Sequence, residues 1–127
     1  MKLETVREMY ENFISIFPEI SNSVDEDRVK YLDDVGFGTP FYWFECLANY
    51  INKEMIKGTN PNRFKEVFEY FRSIYHFGNS KIKECIDVSF TENLFHDVHP
   101  SKAKSYWIVL PDLLKDLYTN FHRRSPL

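Results

Sequence analysis

The sequence predicts an all-α fold, a single-domain bundle of five to seven helices with short loops. Two observations predict the helices: every strong apolar period is three to four residues long, and no strand-like alternation or internal repeat stands out. A third observation sets the domain count, since 127 residues is the size of one domain. We therefore expect residues 1–127 to form one helical domain. Its 12 Phe, 8 Tyr and 2 Trp residues predict an aromatic core.

The first two helices are predicted from one apolar stripe and one capping pattern. The stripe consists of Leu3, Val6, Tyr10, Phe13 and Phe17. Pro18 is expected to end this helix. In the segment SVDE, Ser23 and Glu26 have the spacing of a capping box, which predicts that the second helix begins there. Gly36 suits the left-handed end of that helix.

Two further helices are predicted from cap-plus-proline starts and glycine ends. Thr39 is the expected N-cap of a third helix from about Pro40 to Lys57, which Gly58 closes. Asn60–Pro61 repeats this start for a fourth helix, which Gly78 closes. The fourth helix has an apolar stripe of Phe64, Val67, Phe68, Phe71, Ile74 and Tyr75.

The segment CIDVSFTENLF, residues 85–95, predicts a central helix that other elements cover on most sides. Its broad inner face comprises Ile82, Cys85, Ile86, Ser89, Phe90 and Asn93. Its consistently polar strip is narrow and comprises Lys83, Glu84, Asp87 and Thr91.

Three polar residues in this helix, Ser89, Glu92 and Asn93, require partners. A buried hydroxyl, amide or carboxyl left unpaired costs about 1–3 kcal/mol. We predict that they form a structural polar network with one another and with nearby backbone. One example is Glu92 or Asn93 capping the loop before the third helix. The alternative is that the three residues open onto a ligand or partner site.

The final helix is predicted to be kinked or broken near Pro111. Apolar residues keep one register across this proline, namely Trp107, Leu110, Leu114, Leu117, Tyr118 and Phe121.

The charge distribution favours a basic protein partner over nucleic acid. The net charge of −3 lacks the excess of Lys and Arg that binding to phosphates requires. Residues 19–45 contain seven acidic and two basic side chains, whereas residues 102–124 contain five basic and two acidic ones. The first stretch predicts an acidic patch for a basic partner. The alternative is that both stretches are merely solvated faces.

No targeting or membrane segment is recognised, so we expect a cytoplasmic protein. No run of about 18 apolar residues occurs. The N-terminal MKLETVREMYENF lacks the apolar region of a secretory signal. Cys46 and Cys85 have no CxxC partner and are interpreted as buried thiols of a reducing compartment, with a disulfide between them as the alternative.

The sequence assigns no catalytic residue, metal or cofactor. Neither a phosphate-binding glycine loop nor a nucleophile elbow is present. The segment HDVH places His96 and His99 three residues apart with Asp97 between them, but no third or fourth zinc ligand accompanies them. We interpret HDVH as a polar turn before Pro100. A metal-dependent enzyme that uses these three residues is the weaker alternative function.

The segments VSFTENLF and SKAKSYWIVLPDLL resemble a family of small bacterial helical proteins. In that family a helix with a Phe-x-Glu-Asn-Leu core precedes a loop and a closing helix that contains a Trp. The resemblance covers about residues 64 to 110, and the matching positions are Phe90, Glu92, Asn93, Leu94 and Trp107.

Families of this kind often look like immunity proteins, cytoplasmic partners that bind and block a cognate toxin, commonly a nuclease. The resemblance thus implies a monomeric, non-enzymatic protein that neutralises a basic toxin by tight association. The acidic stretch and nearby aromatic residues supply the expected contacts, namely Asp25, Asp27, Tyr31, Asp33, Asp34, Phe37 and Tyr42. A generic regulatory or structural helical module is the main alternative.

Overall fold

The structure of the protein is a computed structural model. It describes the backbone of residues 3–31 and 39–127 and the side chains of residues 3–27 and 39–127. Within these ranges the chain forms seven α-helices and no strand, so the all-α prediction is confirmed. The helices are α1 (Val6–Ile16), α2 (Pro18–Tyr31), α3 (Pro40–Lys57), α4 (Lys65–Phe77), α5 (Ser80–Glu84), α6 (Pro100–Val109) and α7 (Asp112–His122). A 3-10 turn (Pro61–Phe64) precedes α4, and a π-helical segment (Cys85–Phe90) and a second 3-10 turn (Thr91–Asn93) come after α5.

The capping box of this protein lies before α1. Thr5 Oγ1 accepts a hydrogen bond from the Glu8 backbone N–H, and the Glu8 carboxyl accepts one from the Thr5 N–H. The predicted start of α2 at Ser23 is wrong, because α2 already begins at Pro18, which suits the first turn of a helix. Ser23 instead donates its hydroxyl to the Glu19 carbonyl, 3.2 Å away. The predicted end at Gly36 lies outside the described residues.

Helix α3 forms the centre of the molecule, and its predicted bounds are confirmed. Thr39 caps its N-terminus, and Gly58 ends it with a left-handed φ of 87°. The helix contacts α1, α2, α6 and the π-helical segment, so it is apolar on several sides. Its buried residues are Trp43, Phe44, Cys46, Leu47, Ala48, Tyr50, Ile51, Asn52, Glu54 and Met55.

An aromatic cluster joins α1, α3 and α4. The ring of Phe13 lies 5.6 Å from Trp43 and 5.6 Å from Phe71, measured between centroids. Phe71 in turn lies 4.3 Å from Phe90 of the π-helical segment. The predicted end of α4 at Gly78 is confirmed, but its predicted start is not, because Asn60 caps the 3-10 turn and α4 begins at Lys65. The aromatic core predicted from composition is therefore the contact that unites four segments.

The central helix predicted at residues 85–95 is not a regular α-helix. Thr91, predicted to be solvated, is fully buried, whereas 47% of Val88 is exposed. The π-helical turn explains this error because it inserts one extra residue and so rotates the subsequent residues by about 100° relative to α-helical spacing.

The break predicted at Pro111 is confirmed, since Leu110 and Pro111 are both extended between α6 and α7. Leu110, Leu114 and Tyr118 are buried as predicted, but 57% of Phe121 is exposed. In the last turn the inner side is occupied by His122, whose ring lies 4.1 Å from that of Tyr118.

Cys46 and Cys85 are buried thiols and do not form the alternative disulfide. Burial raises the pKa of the Cys85 thiol to about 12, which makes this thiol chemically inert. No helix among the described residues combines the length and apolar character needed to cross a membrane.

We expect Gly78→Ala to lower the free energy of unfolding by about 1–3 kcal/mol, as overpacking does elsewhere. The new Cβ would lie 2.8 Å from Ile82 Cγ2 and 3.0 Å from the Ile74 carbonyl oxygen. Urea titration measures the loss. In an Ile82→Leu background, which lacks that methyl group, the same change should cost less. An equal cost in both backgrounds would contradict this explanation.

Candidate functional site

An open groove of about 330 Å³ lies between α2 and α3. We call it the α2–α3 groove. Its lining consists of Ser23, Glu26 and Asp27 from α2 and Tyr50, Glu54 and Lys57 from α3. Three carboxyl groups and one ammonium group therefore face this concavity, while Lys53 and Arg63 pair with Asp27 and Glu54 from outside the lining.

Helical spacing explains why these residues meet. Glu26 and Asp27 follow Ser23 by three and four residues, while Glu54 follows Tyr50 by four and Lys57 follows Glu54 by three. Residues at this spacing share one side of a helix. Contact between α2 and α3 then places the two rows opposite each other.

Glu54 is the buried acid of the groove, and its carboxyl is held from three directions. Lys57 Nζ lies 3.0 Å from Oε2, while Arg63 Nη1 lies 2.8 Å from Oε1. The Thr59 hydroxyl donates to Oε1 over 3.0 Å. Burial opposes ionisation of Glu54, but these hydrogen bonds and positive charges outweigh it and lower the pKa of the carboxyl. Glu54 is therefore a fixed negative charge at neutral pH.

Arg63 shows how the protein itself accommodates a guanidinium group beside the groove. In addition to its ion pair with Glu54, its Cζ lies 5.6 Å from the Tyr50 ring centroid and 5.0 Å from that of Phe64. Aromatic faces attract cations in this arrangement. Lys57 is different, because 70% of its side chain is exposed. It is the more easily displaced of the two cations.

Two of the predicted contact residues of α2 already have partners inside the molecule. Asp25 Oδ1 accepts a hydrogen bond of 2.8 Å from Trp43 Nε1. Asp27 forms an ion pair of 2.9 Å with Lys53. Both acids thus tie α2 to α3, and Asp27 also lines the groove. Sequence reasoning missed Glu26 and Glu54 as groove residues, because the packing of α2 on α3 is what brings them together.

The other predicted contact residues do not add to the groove. Tyr42, in the first turn of α3, is partly buried and packs against the core. The side chain of Tyr31, and residues Asp33, Asp34 and Phe37, lie outside the described residues.

The polar residues of the central helix adjoin a residue that sequence reasoning missed, Asn52. The Asn93 amide donates to the Ser89 carbonyl over 2.8 Å. Asn52 then donates to the Asn93 carbonyl over 2.8 Å and accepts from the Phe95 N–H over 2.7 Å. Ser89 itself is buried. The sequence did contain a signal for this contact. Asn52 is an amide side chain among the apolar residues of α3, and a buried amide needs a hydrogen-bond partner.

Glu92 occupies a different position from Ser89 and Asn93. Its backbone carbonyl oxygen lies 3.0 Å from His122 Nε2, and this contact joins α7 to the Thr91–Asn93 turn. Burial and the nearby charge of Asp87 raise the pKa of the Glu92 carboxyl, while His122 opposes this effect.

The HDVH segment forms an exposed turn before α6. The backbone has positive φ at Asp97 (56°) and at Phe95 (68°), the residue just before the segment. His99 is the N-cap of α6, with its Nδ1 accepting from the Ser101 N–H over 3.1 Å. His96 Nε2 lies 3.3 Å from Asp97 Oδ2, and both side chains are exposed. Across the described parts of the chain, no three His, Cys, Asp or Glu side chains are grouped to hold a metal ion.

Comparison with protein families matches residues 10–124 to a family described as a domain of unknown function, DUF7674. The chain belongs to this family. The match spans all seven helices except the first residues of α1. Searches of curated proteins and of solved structures found no match. The family match therefore covers nearly the whole bundle, but the family description assigns no function.

We expect Asn52→Ala to lower the free energy of unfolding by about 1–3 kcal/mol. The change leaves the Phe95 N–H and the Asn93 carbonyl without their partner in a buried environment. Urea titration measures the effect, and Asn62→Ala, at an exposed position, is the control. Equal stability of the two variants would show that the turn does not depend on this amide.

We expect Glu54→Gln to cost about 1–3 kcal/mol at pH 7 and less at low pH. Because the pKa of Glu54 is lowered on folding, the unfolded chain binds its proton more readily. The stabilisation from Glu54 is therefore present at neutral pH and is lost below about pH 5, as pH falls through the folded-state pKa. Unfolding curves at several pH values should show the wild-type and variant stabilities converging. A constant difference down to about pH 3 would contradict the prediction.

Proposed function

We propose that the protein is an immunity protein that neutralises a cognate bacterial toxin by tight binding, with the α2–α3 groove as its acidic contact surface. The observation that carries the proposal is the grouping of Glu26, Asp27 and Glu54 in one concave surface. The resemblance of residues 64–110 to proteins of this type supports the same function.

The groove suits a basic side chain of the toxin. Lys57 is mostly exposed and pairs with Glu54 at the edge of the groove. An incoming Arg or Lys can replace it there, and Glu26, which is exposed, adds a second negative charge. Such a contact exchanges one cation for another, so the buried charge of Glu54 is never left unpaired.

A nuclease is the class of toxin that fits this surface best. Proteins that bind nucleic acid carry an excess of Lys and Arg that neutralises phosphates. An acidic inhibitor surface opposes that excess, accelerates association and occupies the same basic residues. In this proposal the protein is a cytoplasmic monomer that acts by occlusion, without catalysis or a cofactor.

The metal-dependent alternative has less support from the described side chains. His99 uses Nδ1 to cap α6, and His96 and Asp97 lie on an exposed turn with no further ligand beside them among the described residues. No observation favours a second function strongly enough to propose it.

Co-expression with the product of the adjacent gene tests the proposal. The two proteins are expected to purify together, and toxicity of the neighbour should disappear in the presence of this protein. Absence of a complex, together with unchanged toxicity, would overturn the proposal.

Within such a complex, Glu26→Lys should reduce the association rate more than it increases the dissociation rate. The rate should also fall as salt rises, since the Debye length shrinks from about 10 Å at 0.1 M to about 3 Å at 1 M. Stopped-flow kinetics measures both effects. Glu66→Lys, an exposed position on α4, makes the same charge change away from the groove and is the matched control. Equal effects of the two variants would exclude the groove as the contact surface.

A further inference from the structure

The wall of the α2–α3 groove contains a nearly buried side chain whose polar atom has no partner. Tyr50 lines the groove and is only 9% exposed, and the part of it that solvent reaches includes the hydroxyl. Among the described residues, this hydroxyl forms no hydrogen bond. Polar groups buried to this degree normally have a partner. A hydrogen-bonding group of a ligand in the groove would supply the missing one.

The opposite wall contributes a second unused acceptor, the carboxyl of Glu26. Glu26 is exposed on α2, and within the described part of the chain it has neither an ion pair nor a hydrogen bond. The groove therefore offers one unused acceptor from each of its two helices, the Glu26 carboxyl from α2 and the Tyr50 hydroxyl from α3.

Lys57 shows where a cation sits in the groove. Its Nζ lies 3.0 Å from Glu54 Oε2, and 70% of its side chain is exposed. If Lys57 moves away, Glu54 keeps Arg63 and the Thr59 hydroxyl on Oε1. Exposed ion pairs contribute little to stability, so a cation with more hydrogen bonds to offer can replace Lys57 at small cost.

The arrangement of the acceptors selects the chemical class of this cation. Across the parts of the chain that the structure describes, no three acidic, His or Cys side chains are grouped to hold a metal ion, so the carboxyls of the groove are not a metal site. An ammonium group is a compact point charge, whereas a guanidinium group is planar and carries five N–H donors in a fork. The guanidinium group therefore suits acceptors that lie on two different helices.

The protein already binds one guanidinium group with two of these residues. Arg63, which lies outside the groove lining, pairs with Glu54 Oε1 over 2.8 Å, and its Cζ is 5.6 Å from the centre of the Tyr50 ring. The groove volume of about 330 Å³ is at the lower end of small-ligand sites, which span about 300–1,000 Å³. It therefore suits one side chain rather than a whole peptide segment.

We propose that the α2–α3 groove is an arginine subsite, which binds the guanidinium group of one Arg of the partner protein. The acceptors are the Tyr50 hydroxyl and the carboxyls of Glu26 and Glu54, and Lys57 is the resident cation that is displaced. This inference rests on the proposed function, since the toxin is the protein that would supply the arginine. In the free protein Lys57 neutralises part of the groove, so it competes with every incoming cation.

A peptide titration of the full chain, which requires no toxin, tests the proposal. The probe is an acetylated and amidated peptide, Gly-Gly-Arg-Gly-Gly, and the comparison peptide has Lys in place of Arg. Amide shifts of the isotope-labelled protein are expected at residues 23–27 and 50–57. The Arg peptide should bind about tenfold more tightly than the Lys peptide, because its fork reaches more acceptors.

Two variants distinguish an arginine subsite from a general acidic surface. Tyr50→Phe removes only the unpaired hydroxyl, so it should leave thermal unfolding unchanged and weaken binding of the Arg peptide about tenfold. Lys57→Met removes the resident cation and should strengthen binding about fivefold. The matched controls are Tyr75→Phe on α4 and Lys81→Met on α5, which make the same changes away from the groove and should leave the affinity unchanged.

Three results would overturn the proposal. The first is an absence of localised shifts at a peptide concentration of about 10 mM, well above a dissociation constant of about 1 mM. The second is equal affinity for the Arg and Lys peptides. The third is an unchanged affinity of either groove variant, or a change that its control reproduces.

The subsite and the proposed function can fail separately. If the Arg peptide binds as expected but the product of the adjacent gene forms no complex, the toxin function fails and the subsite stands. If that complex forms but Tyr50→Phe and Lys57→Met leave its affinity unchanged, the subsite fails and the toxin function stands.

Discussion

The structure depends on satisfying two polar side chains inside the central helix α3. Asn52 is 5% exposed and Glu54 is 7% exposed, although most of their neighbours are apolar. Asn52 accepts a hydrogen bond from the Phe95 N–H and donates one to the Asn93 carbonyl. It therefore holds the connection between the Thr91–Asn93 turn and α6. The Glu54 carboxyl accepts a hydrogen bond from Thr59 and pairs with Lys57 and Arg63 at the connection from α3 to α4. Removing Asn52 leaves the Phe95 N–H and the Asn93 carbonyl without their partner, which costs more than the bonds themselves contribute.

These contacts hold in place the side chains that line the α2–α3 groove. The groove is built on Glu54 and Asp27, and Asp27 is itself fixed by Lys53. In the core, Phe13, Phe71 and Phe90 connect α1, α4 and the π-helical segment through ring contacts, each pair contributing about 0.5–1.5 kcal/mol beyond area burial. A surface on such a scaffold loses little conformational freedom when it binds a partner.

The sequence predicted a helix correctly wherever its capping residues and its apolar stripe indicate the same segment. Thr39, Gly58 and Asn60 act at the positions that their sequence context predicts, because a cap satisfies backbone groups within a few residues of itself. The prediction failed at Ser23, where an equally good capping pattern is overridden by Pro18 and the continuous helix that begins with it. It also failed at Thr91, because α-helical spacing cannot anticipate the extra residue of a π turn. Asp25 illustrates a third case, in which an acid interpreted as a surface contact is bound to Trp43 inside the molecule.

Fold class, the bounds of α3, the end of α4, the break at Pro111 and the acidic character of residues 19–45 could all be inferred from the amino-acid order. These properties depend on local spacing, caps and composition, which act over one or two helical turns. The meeting of particular acids could not be inferred in this way, since Glu26 and Glu54 are 28 positions apart and share a groove because α2 packs on α3. The same holds for the pairing of Asn52 with residues 93 and 95 and for the outward position of Val88. Each of these depends on how whole helices rotate and pack, and that is set by the filling of the common core rather than by any one segment.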